Sequence, residues 1–356
     1  MRITENLNTT SSNHPRIEVL DLLRSVAIIF VVITHLKYYS LPGGSVGVSI
    51  FFCLSGYLIT KNLLIKEVTI PDFLIRRIFR IYPAYLVVCL LHCVVLYYTK
   101  SSGFSEYVAQ LPNFLFIIKM PEKWMGYGVG VLWTLQIELW FYFLIPFIIK
   151  KTASVKRIGV IIALIFMCFL FKFAVLFDFI TLPFNSVLRT LYWMDNLLYG
   201  SVVALLLESV NSNTSTQKEG TKTNRYGLKL LLACASLVIF AVAVYWPSEG
   251  KGWPFESSLV SFLTAIIIFY TQKFHLFQRG MTKIVSYLSL LAYAIYLCHP
   301  FLLDYYKTNK SIVALPTLEY RLLAFVLITS MVLSLHFFIE RPGIKLGKKI
   351  SGVIKR

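Results

Sequence analysis

The sequence predicts an all-α, polytopic membrane protein with about ten transmembrane helices and both termini in the cytoplasm. Three observations carry this. Hydrophobic residues make up 57% of the 356, and mean hydropathy is +0.70. Charged residues are only 15%, against roughly 25% in soluble domains. Apolar runs of about 20 residues recur along the chain, each long enough to cross a hydrocarbon core of about 30 Å. A soluble globule and a nucleic-acid-binding protein are both excluded, because the net charge of +18 comes from Lys and Arg placed between the apolar runs.

Ten runs set the elements: 18–39, 46–65, 81–98, 131–149, 157–177, 185–208, 227–246, 256–272, 284–304 and 319–340. The first lacks a small-residue cleavage site and further spans follow it, so it reads as a resident helix rather than a signal peptide. The stretch 107–120, YVAQLPNFLFIIKM, is too short to cross and is broken by Pro112, which predicts a re-entrant or interfacial piece. Residues 209–226 form a polar, low-complexity cytoplasmic loop, expected to be mobile and dispensable for mechanism. The chain thus divides into a cytoplasmic segment 1–17, a transmembrane domain 18–342 and a basic cytoplasmic tail 343–356. With the N-terminus inside, the inner segments hold 24 Lys and Arg against 9 outside, the asymmetry the positive-inside rule demands. The six cysteines form no CxxC pair and read as small buried side chains, and no metal site is indicated.

Four constellations stand out. In LDLLRSVAIIFVVITH, Arg24 and His35 are eleven residues apart, close to three whole turns, so they share a helix face about 16 Å apart along the axis. Asp21, three residues before Arg24, is its natural ion-pair partner. In LIRRIFRIYPAYL, between the second and third runs, Arg77 and Arg80 sit one helical turn apart, a spacing that lets two guanidinium forks grip phosphate groups. A solvated basic loop is the plainer alternative. Glu138 lies within VLWTLQIELWFYFLIP with no basic residue inside a turn, so its partner must come from another helix or it stays protonated. Gly47, Ser55 and Gly56 make one stretch of the second run small, for close helix packing or for a narrow path taken by a thin substrate arm.

Weaker signals complete the pass. His299 precedes Pro300 near the outer end of the ninth run, and FFIERP closes the tenth with Glu340, Arg341 and a helix-stopping proline. His92, His275 and His336 show no partner at useful spacing. Lys172 and Asp195 are intramembrane charges placed to neutralise each other.

Taken in order, these pieces resemble the acyltransferase-3 family of integral membrane O-acyltransferases, over nearly the whole chain. The resemblance rests on Arg24 and His35 after LDLLRSVAI, on GVSIFFCLSGYLI, on Arg77 and Arg80 before YPAY, on LWTLQIELWFY, and on YAIYLCH with IERP. It implies O-acylation, most often O-acetylation, of a sugar or another hydroxyl acceptor at the extracytoplasmic face of a bacterial inner membrane. Acetyl-CoA on the cytoplasmic side is the implied donor, and the implied partners are the lipid bilayer and a glycan or glycolipid. His35 becomes the general base or a transient acyl carrier, with Glu138 orienting it or holding the acceptor. Arg77 and Arg80 would hold the phosphates, with Arg24 and Ser55 along the same path, and His299, Trp133 and Asp21 would stand on the acceptor side.

Two departures from the family pattern matter. Thr134 stands where Ser is usual, which keeps a hydroxyl, and no hydrolase-like domain follows the last run. The second departure implies that transfer finishes within the membrane domain or passes to a separate protein. A transporter or flippase of lipid-linked saccharide is the alternative, but it predicts internal repeats, which the sequence lacks. A silent scaffold would not need to keep both Arg24 and His35. Oligomeric state is not readable from composition.

Overall fold

The computed structural model describes residues 18–35, 44–65, 68–98, 103–115, 132–180, 187–214, 225–245, 254–274, 283–308 and 317–354. These are helical apart from short turns. In chain order they are α1 (Glu18–His35), α2 (Gly44–Leu64), α3 (Ile70–Tyr98), α4 (Phe104–Leu115), α5 (Trp133–Lys151) and α6 (Ser154–Leu176). There follow α7 (Val187–Thr214), α8 (Arg225–Tyr245), α9 (Glu256–Phe274), α10 (Lys283–Thr308) and α11 (Thr317–Ser334). A π-helical turn over Leu335–Glu340 then leads directly into α12 (Arg341–Ile354).

Among the described residues, five helical stretches are long and apolar enough to cross a membrane: Gly44–Leu64, Ile70–Tyr98, Ser154–Leu176, Leu188–Ser212 and Phe325–Gly352. Their outward side chains fit that solvent. On α6, Ile162, Phe166, Leu170 and Phe173 are all exposed, a contiguous apolar face that water would penalise and lipid tails accept.

The centre of the bundle is α2, against which α1, α5, α7, α8 and α9 pack. Its small residues explain why. A Cβ on Gly56 would lie 1.8 Å from the Leu197 carbonyl oxygen of α7, and one on Gly200 would lie 2.0 Å from the carbonyl oxygen of Cys53. Gly47 meets α1 in the same way, 2.6 Å from the Ala27 carbonyl oxygen. Lipid supplies no hydrophobic drive between helices, so backbone-close contact is what holds them. Packing therefore accounts for Gly47 and Gly56, while Ser55 faces a cavity on the other side of α2.

Lys172 of α6 and Asp195 of α7 do neutralise each other. They form a fully buried ion pair at 2.9 Å, closed by Ser257 and Ser258 of α9. This network ties three helices together where an unpaired charge would be expensive.

Several boundaries differ from expectation. α3 starts at Ile70, not near 81, so Arg76, Arg77 and Arg80 lie on a helix instead of in a loop. Thr69 begins it by accepting the Asp72 backbone N–H at 3.3 Å, and the arginines hid the helix from a reading by hydropathy. α7 runs on to Thr214, five residues past the start of the expected loop, and 215–224 lie outside the described residues. α4 is a 12-residue helix continuing through Pro112, with the Tyr107 hydroxyl donating to the Cys89 carbonyl of α3 at 3.0 Å. Cys234 is exposed, unlike the buried Cys53, Cys89, Cys168 and Cys298.

Pro342 does not end the chain's helix. Its ring would clash with the carbonyl four residues back, and the helix widens into the π turn just ahead of it and continues. The basic tail is consequently a docked helix. A Cβ on Gly343 would meet the Phe79 carbonyl oxygen at 2.6 Å, and Ser351 donates to Asp72 at 2.8 Å while accepting from Arg76 at 2.9 Å.

Gly200→Val should force α2 and α7 apart at a cost of about 3 kcal/mol, read as a lower melting temperature in detergent. Gly159→Ala, whose Cβ would meet nothing within 4 Å, should be neutral or slightly stabilising. Lys172→Met should cost about 3–5 kcal/mol, and much less when combined with Asp195→Leu, because the second change removes the stranded charge.

Candidate active site

A partly open cavity of about 130 Å³ lies between α1, α2, α3, α5, α10 and the π turn. Each helix presents one stripe to it. α2 offers Phe51, Phe52, Ser55, Leu58 and Ile59, a spacing of threes and fours, and α10 offers Ser289, Ala292, Tyr293 and Tyr296. Most of the wall is apolar or aromatic, so the few polar groups on it define the chemistry.

The first polar group is built on α1 and α10. Arg24 Nη1 donates to the Ser289 hydroxyl at 3.2 Å, and that hydroxyl donates to Asp21 Oδ1 at 2.6 Å. Arg24 and Asp21 are 3.8 Å apart, so their ion pair is completed through serine from the facing helix. The Ser25 hydroxyl donates to the Val285 carbonyl at 2.9 Å and fixes the same crossing. Serine suits this place because one hydroxyl both accepts and donates.

The second group is the arginine pair of α3. Arg77 stacks over Phe73 and Tyr142, at 5.5 and 5.7 Å from the ring centroids. Arg80 lines the cavity, is exposed, and makes no hydrogen bond or ion pair among the described residues. One guanidinium is thus held rigid and its neighbour left uncommitted. The two lie one turn apart on a helix, in place of the expected loop, an arrangement that can hold an anion.

The third group lies on α5 opposite. Glu138 does find a partner, but on its own helix: the Tyr142 hydroxyl donates to Glu138 Oε1 at 2.6 Å. Tyr142 also faces Arg77, so it links the carboxylate to the arginine across the cavity. About one turn earlier on α5, Thr134 Oγ1 is 2.7 Å from the Tyr296 hydroxyl, so the hydroxyl kept at this position is in use. Three guanidiniums against Glu138 and Glu340 leave the cavity net positive, which favours a polyanion.

The cavity therefore gathers Arg24, Ser55, Arg77, Arg80 and Glu138, which lie far apart in sequence. His35 is the last residue of α1, and its side chain lies outside the described residues. His299 is buried, with Nδ1 2.8 Å from the Tyr296 carbonyl oxygen, and is not among the lining residues. Trp133 is not a lining residue either. It lies beneath Arg189 at 4.2 Å and against Phe52 and Trp193, with ring centroids 6.3 and 5.1 Å away. Asp21 sits behind Ser289 and is likewise absent from the lining.

Sequence reasoning missed Tyr142, Ser289, Tyr296 and the pairing of His336 with Glu340. In that pair Nδ1 lies 2.8 Å from Oε2, so His336 does have a partner, four residues on. That i, i+4 spacing was the available signal. Ser289 and Tyr296 carried none, since hydroxyls in apolar helices are common and only tertiary packing gives them partners. His275 lies outside the described residues.

Comparison with known proteins adds three findings. A family model described as an acyltransferase domain matches residues 17–339. A Bacillus subtilis protein, named as a candidate peptidoglycan O-acetyltransferase, is 29% identical over 290 residues, covering 72% of this chain and 44% of its own length. The O-acetyltransferase OatA of Staphylococcus aureus is 26% identical over 361 residues, covering 93% of this chain and 57% of its own length. The chain thus spans about half the length of these curated relatives. No solved structure matches it.

Ser289→Ala should cost about 1–3 kcal/mol, because the largely buried Asp21 loses a donor and Arg24 an acceptor. Ser289→Thr, which keeps the hydroxyl, should retain most of that stability in thermal unfolding in detergent.

Proposed function

The chain belongs to the acyltransferase-3 family of membrane acyltransferases, and from that premise we propose that it transfers acetyl from cytoplasmic acetyl-CoA to a hydroxyl of an extracytoplasmic glycan. The acceptor would be a cell-surface polysaccharide or its lipid-linked precursor, with cell-wall peptidoglycan favoured by the name of the Bacillus relative. The setting would be a bacterial inner membrane, with about ten spans and both termini inside. The single observation that carries this reading is the positive cavity, with Arg77 and Arg80 on one wall and Arg24 on another.

In this reading Arg77 and Arg80 grip the phosphates of the donor. The flexible arm of the donor runs past Ser55, where α2 is small, and the thioester lies deeper between α2, α5 and α10. His35, on the face of α1 that Arg24 shares, accepts the acceptor's hydroxyl proton as that oxygen attacks the acyl carbon. The carbon–sulfur bond breaks and the thiolate leaves to take up a proton. If His35 instead carries the acyl group first, the same attack falls on the acyl-imidazole. Glu138, steadied by Tyr142, orients His35 or binds the acceptor. Arg24 holds the donor side of the same channel about 16 Å away, the axial rise of eleven residues.

His35→Ala should lower acetylation of surface glycan at least about 100-fold, read by mass spectrometry of the glycan from a strain carrying the variant. Full acetylation would eliminate both roles given to His35. Arg77→Glu with Arg80→Glu should raise KM for acetyl-CoA more than tenfold. Turnover independent of acetyl-CoA would instead favour transport of a lipid-linked saccharide.

A further inference from the structure

Glu340 is the cavity group that this reading leaves without a task. It lines the wall, it is 4% exposed, and among the described residues its one hydrogen-bond partner is His336, whose Nδ1 lies 2.8 Å from Oε2. Its other oxygen, Oε1, takes no hydrogen bond among the described residues. The obvious local donors are committed elsewhere. Tyr293 gives its hydroxyl to the Ile81 carbonyl at 2.9 Å, and Tyr142 gives its own to Glu138. Arg80 lines the same cavity, but among the described residues the ion pair of Glu340 is with His336 and not with Arg80. That oxygen is left to accept a hydrogen bond from whatever enters the cavity.

His336 has one evident purpose. It is 2% exposed, and its second nitrogen, Nε2, is buried with no partner, so its one hydrogen bond is the contact with Glu340. Both residues sit on the π turn over Leu335–Glu340, a distortion frequent at functional sites. The distortion and the orphaned nitrogen are both tolerated where one carboxylate is aimed into the cavity.

We propose that Glu340 accepts a hydrogen bond from an N–H or O–H of the donor's pantetheine arm, and that His336 is the positioning residue that aims it. This rests on the acetyl-CoA reading above. The chemistry fits because the arm between phosphates and thioester is neutral and carries two amide N–H groups and a hydroxyl. The arginines serve the phosphates. An acidic acceptor on the same wall selects a donor-bearing arm and repels a second anion.

The test is calorimetric titration of the full chain in detergent with two probes: CoA, and adenosine 3′,5′-bisphosphate, which lacks the arm. Glu340→Gln should weaken CoA about tenfold and leave the bisphosphate unchanged. His336 would capture the glutamine oxygen and turn its NH2 toward the arm's own donor. His336→Phe should act in the same direction, and His336→Asn, which keeps a side-chain donor, should restore most of the CoA affinity. Equal losses for both probes, or no loss in CoA affinity for either Glu340→Gln or His336→Phe, would overturn the assignment. A wild-type chain that binds neither probe would instead defeat the acetyl-CoA reading itself, and this inference with it.

Discussion

A charge at low dielectric has to be paired, hydrogen-bonded or turned toward a cavity, and the arrangement of this bundle follows from that constraint. Lys172 and Asp195 meet each other and two serines. Asp72 is held by Ser351, Asp21 by Ser289, Glu138 by Tyr142 and Glu340 by His336. The Lys172–Asp195, Asp72–Ser351 and Asp21–Ser289 contacts join different helices, so each also fixes a crossing. Arg80 is the exception. Its guanidinium has no hydrogen-bond or ion-pair partner among the described residues and lies on the cavity wall, where an anionic ligand could complete the balance.

Small residues make those pairings reachable. Lys172 and Asp195 lie on adjacent helices, and Ser257 and Ser258 on α9 can reach them because α2, α7 and α9 crowd together. That crowding depends on Gly56 and Gly200 facing each other's backbones. The same helix turns Ser55 and two phenylalanines to the other side, so α2 is scaffold on one face and cavity wall on the other. A substitution at Gly56 would therefore act on the site through the scaffold, without touching a ligand.

Proline links the tail to the site. The helix widens into the π turn ahead of Pro342 instead of stopping, and that turn delivers both Glu340 to the cavity and α12 to α3. Gly343 and Gly347 let α12 lie on Phe79, and Arg76 is bound to Ser351. The turn of α3 that carries Arg77 and Arg80 is thus braced from behind by the chain's last described helix. Its cation-bearing face is left to the cavity.

Much of this was written in the sequence. Apolar run length specified the helices, because backbone groups in lipid must be satisfied within the segment. The three-turn spacing of Arg24 and His35, the single turn between Arg77 and Arg80, and the smallness around Gly56 are all local periodicities that a linear reading detects. The helical state of Arg76 to Arg80 was hidden, because hydropathy reads their charge as loop. The partner of Asp21 was hidden for a different reason. Hydroxyls carry no distinguishing pattern in an apolar helix, and that Ser289 meets Asp21 depends on the crossing angle and register of two helices far apart in sequence. The partners of Glu138 and Glu340 lie four residues away on the same helical stretch, a spacing that the sequence does show. Periodicity decided which face each residue occupies; only tertiary packing decided what that face meets, since the contact energy belongs to pairs that the chain brings together only when folded.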